Sequence, residues 1–307
     1  MIKDKNILFL MKKKQTSYYE MLISAIVEFG LPKSVHYIHY DSNSDCKKIN
    51  DEIEECILKN NINIFISLSY YFINPDLLFR MQETVYRIRI DGDDGLIFNF
   101  YSKWYAQLFD LNITQSLFNK KKYNQLSYNS ITYVGNISNK NTYTQFNYEK
   151  IFDNDVTFIG YAPEKSQRIK YINFLKDNGV NIKIFGENKS TKKLSIKEKY
   201  NCYAKSKINL NFSTIKINYD LLEHREIIKK EPDIEKKTIV TGRIFEVLSV
   251  GGFLLTEYTP TLEYFFEIGV DLDVFYNERD LIKKINFYLE NDEARIERRS
   301  SAHWFCR

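Results

Sequence analysis

Residues 241–269, TGRIFEVLSVGGFLLTEYTPTLEYFFEIG, carry the pattern that decides the fold class. The stretch predicts a helix, a two-glycine turn, a short buried strand, a tight loop and a second helix. Thr241 is a candidate N-cap, the position where a side-chain oxygen meets free helix N–H groups. Ile244, Phe245, Val247 and Leu248 leave almost no polar face, which predicts a buried helix. Gly251 and Gly252 end it, because the chain must turn with positive φ before the next strand. Phe253, Leu254 and Leu255 form the apolar run of a strand covered on both faces of a parallel sheet. Thr259 and Pro260 open the second helix, with Pro in the first turn, where its missing N–H costs nothing.

Two charges sit oddly on the first of these helices. Arg243 and Glu246 lie three apart, near the N-terminal end of an otherwise apolar segment. Burying either without a partner is costly. One account is an internal Arg243–Glu246 pair with no further role. The other has Glu246 accepting hydrogen bonds from vicinal hydroxyls while Arg243 meets a phosphate, since a carboxylate holds two hydroxyl donors and a guanidinium fork fits phosphate oxygens.

Working outward, the first half alternates strand and helix signals. NILFLM, VHYIHY, INIFISL, VYRIRID, LNITQSL and SITYVG read as strands. Helices are expected over 17–29, 45–60 and, opened by Asn74 and Pro75, over 74–81. Residues 136–154 are polar and lack a period, so the division is a first lobe over 1–140, a linker over 141–155 and a second lobe over 156–307. DVTFIG restarts the same grammar, followed by helix 165–177, strand NIKIFG, helix 195–205 and strand KINLNF. Strands alternating with helices imply an α/β protein with two Rossmann-like lobes, each a parallel, doubly wound sheet. Ligands of such sheets sit beyond the carboxyl ends of the strands, so a central cleft is the expected site. Residues 213–240 read as a long charged insertion, either a lid or a solvated excursion.

RIFEVLSVGGFLLTEYTPTLEYFFEIG, followed by an acidic strand and NERDLIKKINFYLENDEAR, resembles glycosyltransferases of the spore-protein CgeB type, within the wider GT-B group. The resemblance covers 241–295 most fully and 156–212 less so. It implies a GT-B fold, a nucleotide-diphosphate sugar as donor, no cofactor and no metal. It also implies that Glu246 binds the donor ribose and that Gly160 closes the first strand of the donor lobe. Many retaining relatives carry a second glutamate eight positions earlier, in contact with the donor sugar. Thr238 stands there, so retaining chemistry does not carry over. GT-B chains usually finish with a helix that returns to the first lobe; AHWFCR at the end leaves that helix short or missing, as a truncated chain would.

Composition narrows the class. With 307 residues, 44% hydrophobic and 27% charged, the chain has ample core for two soluble domains. A net charge of +4 is too mild to argue for a nucleic-acid partner, no RNA- or DNA-binding signature accompanies it, and none is expected. It is compatible with an anionic donor or a weak hold on anionic lipid. NILFLM, followed at once by KKK, is too short for a signal peptide, and no segment reaches the roughly 20 apolar residues of a membrane span. Cys46, Cys56, Cys202 and Cys306 show neither zinc nor disulfide spacing, which favours a reducing cytoplasm.

The candidate donor-binding residues are Gly160, Arg168, Arg243, Glu246, Thr256, Glu257 and Thr259. Gly160 and Gly186 end strands, where a backbone can approach a phosphate closely. Arg168, a helical turn or so later, is in reach of a pyrophosphate. Free N–H groups between Thr256 and Thr259 make a small anion site from which Glu257 must point away. In the first lobe, DGDDG (91–95) holds a DxD, which suits a solvated turn or a metal. Asp91, at its strand's carboxyl end, is the candidate catalytic base. His36 and His39 lie three apart on a strand and so face opposite sides, which excludes a metal pair. Two rivals to a transferase stay open: a non-catalytic nucleotide-sugar-binding or surface-assembly protein, and a two-lobed solute-binding protein, which would need an export signal.

Overall fold

The computed structural model describes the chain except for Met1, residues 14–16, Ser42, 69–72, Asp93, 133–151, Pro163, Lys165, 187–193, 216–221, 233–236 and 302–307. It divides into two compact units, Met1–Ile137 and Ser138–Arg307. Most of the linker expected at 141–155 falls outside the described residues, and a strand already begins at Asn154.

The first unit holds six strands: β1 (Asn6–Lys12), β2 (Ser34–Tyr40), β3 (Ile64–Ser67), β4 (Tyr86–Asp91), β5 (Leu111–Thr114) and β6 (Ser130–Thr132). They pair in the order β2-β1-β3-β4-β5-β6, all parallel. Successive side chains alternate between two cores, as a sheet covered on both faces requires. Leu8, Leu10 and Phe65 enter one cluster; Ile7, Phe9, Ile64 and Ile66 enter the other.

The second unit repeats the plan with β7 (Asn154–Ile159), β8 (Ile182–Phe185), β9 (Ser206–Asn211), β10 (Leu254–Glu257) and β11 (Asp273–Phe275). Its order is β11-β10-β9-β7-β8, again all parallel. In both units the third strand lies on the far side of the first from the second. The strand order therefore reverses between β1 and β3 in one unit, and between β7 and β9 in the other. Such a reversal leaves a crevice at the carboxyl ends of the two strands.

The structure differs from the sequence reading in four places. LNITQSL is a strand only to Thr114, because Ser116 turns the chain into a helix, Leu117–Gln125, by accepting from the Asn119 N–H at 3.1 Å. Residues 94–106 are helical, in two short α-helical pieces joined by a π-turn at Phe98–Ser102. That turn breaks the 3.6-residue period by which helices are read. The helix expected after Thr259 is a five-residue 3-10 turn, Pro260–Tyr264. The insertion 213–240 is not a bare loop: Thr214 and Thr238 bridge antiparallel at its stem, and Leu222–Lys230 is a helix that buries Ile227.

Gly186 shows how tightly the β7 and β8 ends meet. The Gly160 N–H donates to the Phe185 carbonyl at 2.7 Å, and a Cβ on Gly186 would lie 2.3 Å from the Gly160 oxygen. That neighbour is backbone and cannot swing aside. Gly186→Ala is expected to destabilise the protein by about 1–3 kcal/mol. An unchanged urea midpoint would contradict the packing.

Candidate functional site

The crevice of the second unit is built around one amide. Asn211 ends β9 and is fully buried. Its Oδ1 accepts from Thr241 Oγ1 at 2.8 Å and from Arg243 Nη1 at 2.7 Å. Its Nδ2 donates to Thr256 Oγ1 at 2.8 Å. One side chain thus ties β9 to β10 and to the helix Gly242–Ser249. Thr241 takes the N-cap position, in extended backbone, but spends its hydroxyl on Asn211 and makes no side-chain capping bond.

Arg243 spans the reversal point. From its bond to Asn211 on β9, the guanidinium reaches across to β7, where it lies 4.9 Å from the centre of the Phe158 ring. It also rests against Gly160: a Cβ there would meet Nη2 at 2.3 Å. Gly160 therefore makes room for a cation. Arg243 stays partly exposed at this crevice.

Glu246, one turn later, is 7% exposed. Its Oε1 accepts from Lys199 Nζ at 2.6 Å and its Oε2 from the Tyr203 hydroxyl at 3.1 Å. Lys199 and Tyr203 belong to the helix Ile196–Ala204, opened by a Ser195–Glu198 capping box. Burial, and then the neighbouring Glu246 carboxylate, push the Tyr203 hydroxyl well above its ordinary pKa, so it remains a donor. The internal Arg243–Glu246 pair weighed from the sequence does not form. The two side chains leave the helix toward different neighbours, Arg243 to the strand ends and Glu246 to the facing helix.

Arg168 lies in the first turn of the helix Gln167–Asp177 and is 7% exposed. It donates to the Tyr161 carbonyl at 3.1 Å and to the Thr214 carbonyl at 2.7 Å, while its Nε has no partner among the described residues. Burial, and second the nearby Arg243 charge, lower its pKa to about 10, with Glu257 opposing. It remains a cation at neutral pH, and it clamps the loop after β7 to the stem of the insertion. Glu257 Oε2 accepts from the Thr214 N–H at 2.9 Å and from Thr214 Oγ1 at 2.6 Å. Thr256 and Thr259 are buried, and Thr259 makes no side-chain capping bond. The Arg168 and Arg243 charges are thus close enough to repel, a setting that an anion relieves.

In the first unit, Asp91 Oδ2 accepts from Arg89 Nη1 and from Ser102 Oγ, both at 3.1 Å. Arg89 is fully buried, and bonds Asn112 at 2.9 Å and the Tyr123 hydroxyl. Asp91, 8% exposed, is a member of this internal network through its Oδ2. Asp93 of DGDDG lies outside the described residues. His36 bonds Ser34 at 3.1 Å and His39 stacks on Tyr37, consistent with opposite faces.

Asn211, Lys199, Tyr203 and Phe158 escape the sequence reading. The available signal was the alternation of Asn209 and Asn211 with Ile208 and Leu210 in KINLNF, since a buried amide needs partners. Asn211→Ala deprives Thr241, Arg243 and Thr256 of a partner at once and is expected to cost about 2–3 kcal/mol. In urea unfolding, the midpoint falls with an unchanged slope. A midpoint equal to that of the wild type would refute the hub.

Residues 168–306 match the family model described as glycosyl transferase-like. No curated protein sequence matches the chain. Among solved structures, a glycosyltransferase from Rickettsia africae aligns over 99% of this chain and 93% of its own, at 12% identity and a TM-score of 0.65. Sucrose-phosphate synthase from Thermosynechococcus elongatus aligns over 98% and 94%, at 7% identity and a TM-score of 0.64. HepE from Anabaena, in complex with UDP and glucose, aligns over 98% and 94%, at 12% identity and a TM-score of 0.58. The second unit thus matches a glycosyl transferase-like family model, and the chain has the fold of GT-B glycosyltransferases.

Proposed function

We propose that this chain is a glycosyltransferase, of the CgeB type by its sequence resemblance, that moves a sugar from a nucleotide-diphosphate donor to an acceptor. The observation that carries the reading is Arg243. It is a partly exposed guanidinium held over a glycine at the reversal point of a parallel sheet, with a buried carboxylate one helical turn away. In this reading Arg243 meets the donor diphosphate, the nearby Arg168 adds positive charge, and Glu246 accepts from the ribose hydroxyls. The backbone at Gly160 and between Thr256 and Thr259 completes the contact. HepE, of similar fold, binds UDP and UDP-glucose, which supports a nucleotide-sugar ligand. Catalysis comes from positioning and from stabilising the departing diphosphate, without cofactor or metal.

The acceptor is a glycan, a lipid-linked sugar or a protein, and the product serves cell-surface glycan or glycoconjugate synthesis. We place the protein in the cytoplasm, with weak attachment to anionic membranes. Cys46, Cys56 and Cys202 are unpaired, and no helix among the described residues is long and apolar enough to cross a membrane. The alternative, a non-catalytic nucleotide-sugar-binding protein, predicts the same binding and no turnover.

Titration with UDP-glucose, GDP-mannose, ADP-glucose and CMP-linked sialic acid tests the reading. One of them is expected to raise the melting temperature, since ligand at 100 times its dissociation constant adds about 2.7 kcal/mol. Glu246→Gln then lowers that ligand's affinity at least about tenfold, as charge-assisted bonds contribute about 1.5–3 kcal/mol each. No shift with any of the four, or unchanged affinity in the variant, would overturn the assignment.

Chelation supplies a separate check. With the diphosphate neutralised by arginine, transfer activity is expected to persist in excess EDTA. Loss of activity that manganese or magnesium restores would assign the charge to a metal instead.

A further inference from the structure

The pairing of Glu246 with Lys199 deepens the proposed donor site. Glu246 is nearly buried, yet its cation comes from another helix, although Arg243 stands one turn away on its own. Among the described residues, the charged and titratable groups around it are Lys199 and Tyr203 on the facing helix, Tyr200 edge-on to Tyr203, and Arg243. Tyr203 is a neutral donor and Arg243 is engaged with Asn211, so among the described residues Lys199 sets the ion pair against the carboxylate. Its side chain is 17% exposed and that of Glu246 9%, so water compensates little for a lost partner. A carboxylate oxygen accepts about two hydrogen bonds. One bond to each oxygen, from Lys199 and from Tyr203, leaves one acceptor position per oxygen for a vicinal diol.

We propose that Lys199 is the positioning residue of this site: its ammonium keeps the buried Glu246 carboxylate ionised and oriented, with its remaining lone pairs free for donor hydroxyls. Lys199 does not compete with the diol in this arrangement. Without the ammonium, burial favours the neutral acid, which offers weaker acceptors and a proton of its own.

Two variants, Lys199→Met and Lys199→Arg, test this, and one arm needs no ligand. In the apo protein, an unpaired buried Glu246 binds its proton more tightly folded than unfolded. Stability then falls as pH rises above the unfolded carboxyl range. The melting-temperature deficit of Lys199→Met against wild type is therefore expected to widen from pH 5 to pH 8. It should be independent of pH in the Lys199→Met/Glu246→Gln double variant. A deficit of Lys199→Met that is equal at every pH would overturn the proposal.

The second arm rests on the donor reading and uses whichever of the four nucleotide sugars binds wild type. Lys199→Met is expected to lose at least tenfold in affinity at pH 6.5 and to recover part of it by pH 8.5. Wild type and Lys199→Arg should stay nearly flat. Tighter binding by Lys199→Met would show that Lys199 competes with the ligand, and a loss equal at all pH values would show a packing role only. Either result overturns the proposal. If no nucleotide sugar binds wild type, the donor assignment fails while the apo arm still decides whether Lys199 keeps Glu246 charged.

Discussion

The second unit depends on burying one amide at the end of a strand. Asn211 sits where a parallel sheet reverses its order, and all of its bonds go to other elements. Left unpaired, such a group costs on the order of 1–3 kcal/mol. The amide therefore dictates where Thr241, Arg243 and Thr256 must be. The helix Gly242–Ser249 starts where it does because Thr241 is fixed to β9. Arg243 crosses to β7 because its other end is held and because residue 160 has no side chain in the way. The crevice is a consequence of strand order; the amide converts it into a site with a defined charge.

The same helix solves two burial problems in opposite directions. Arg243 keeps one face on the Phe158 ring and one bond to Asn211, and so remains partly exposed without a carboxylate partner. Glu246 is sealed in, and a lysine and a tyrosine of the helix Ile196–Ala204 satisfy it. Had the two paired with each other, the positive charge at the strand ends would have been neutralised internally. Separate partners leave the guanidinium free to meet an anion and bind the helix to its neighbour. Arg168 and Glu257 contribute from the other side, through Thr214, so the stem of the insertion is anchored to the site.

Much of this was legible in the chain itself. Runs such as NILFLM and DVTFIG, alternating with capped helices, determined the strands, their parallel pairing and the presence of two α/β units. The reason is local: apolar runs of strand length, and Ser, Asp, Asn or Pro at helix starts, act within a few residues. Arg243, Glu246 and Gly160 also stood out, since a charge on an apolar helix and a glycine at a strand end are anomalies visible in sequence. The π-turn at Phe98–Ser102 was missed because it breaks the local period, and the helix Leu222–Lys230 because its charged surroundings read as a solvated excursion.

Only the tertiary structure decided who pairs with whom. Lys199 is 47 residues from Glu246, and Asn211 is 32 from Arg243. No spacing rule connects residues so far apart. The sequence allowed an Arg243–Glu246 pair as readily as the arrangement found. Strand order broke the tie by placing β9 beside both β7 and β10, which set Asn211 in reach of Arg243. In the first unit, Asp91, open by sequence to a role as base, joins Arg89, two residues back on its own strand, and Ser102 in a buried network. A chain can advertise its buried charges through local pattern. Their partners are chosen by packing, because the energy of a desolvated charge depends on every group around it, whatever their separation along the chain.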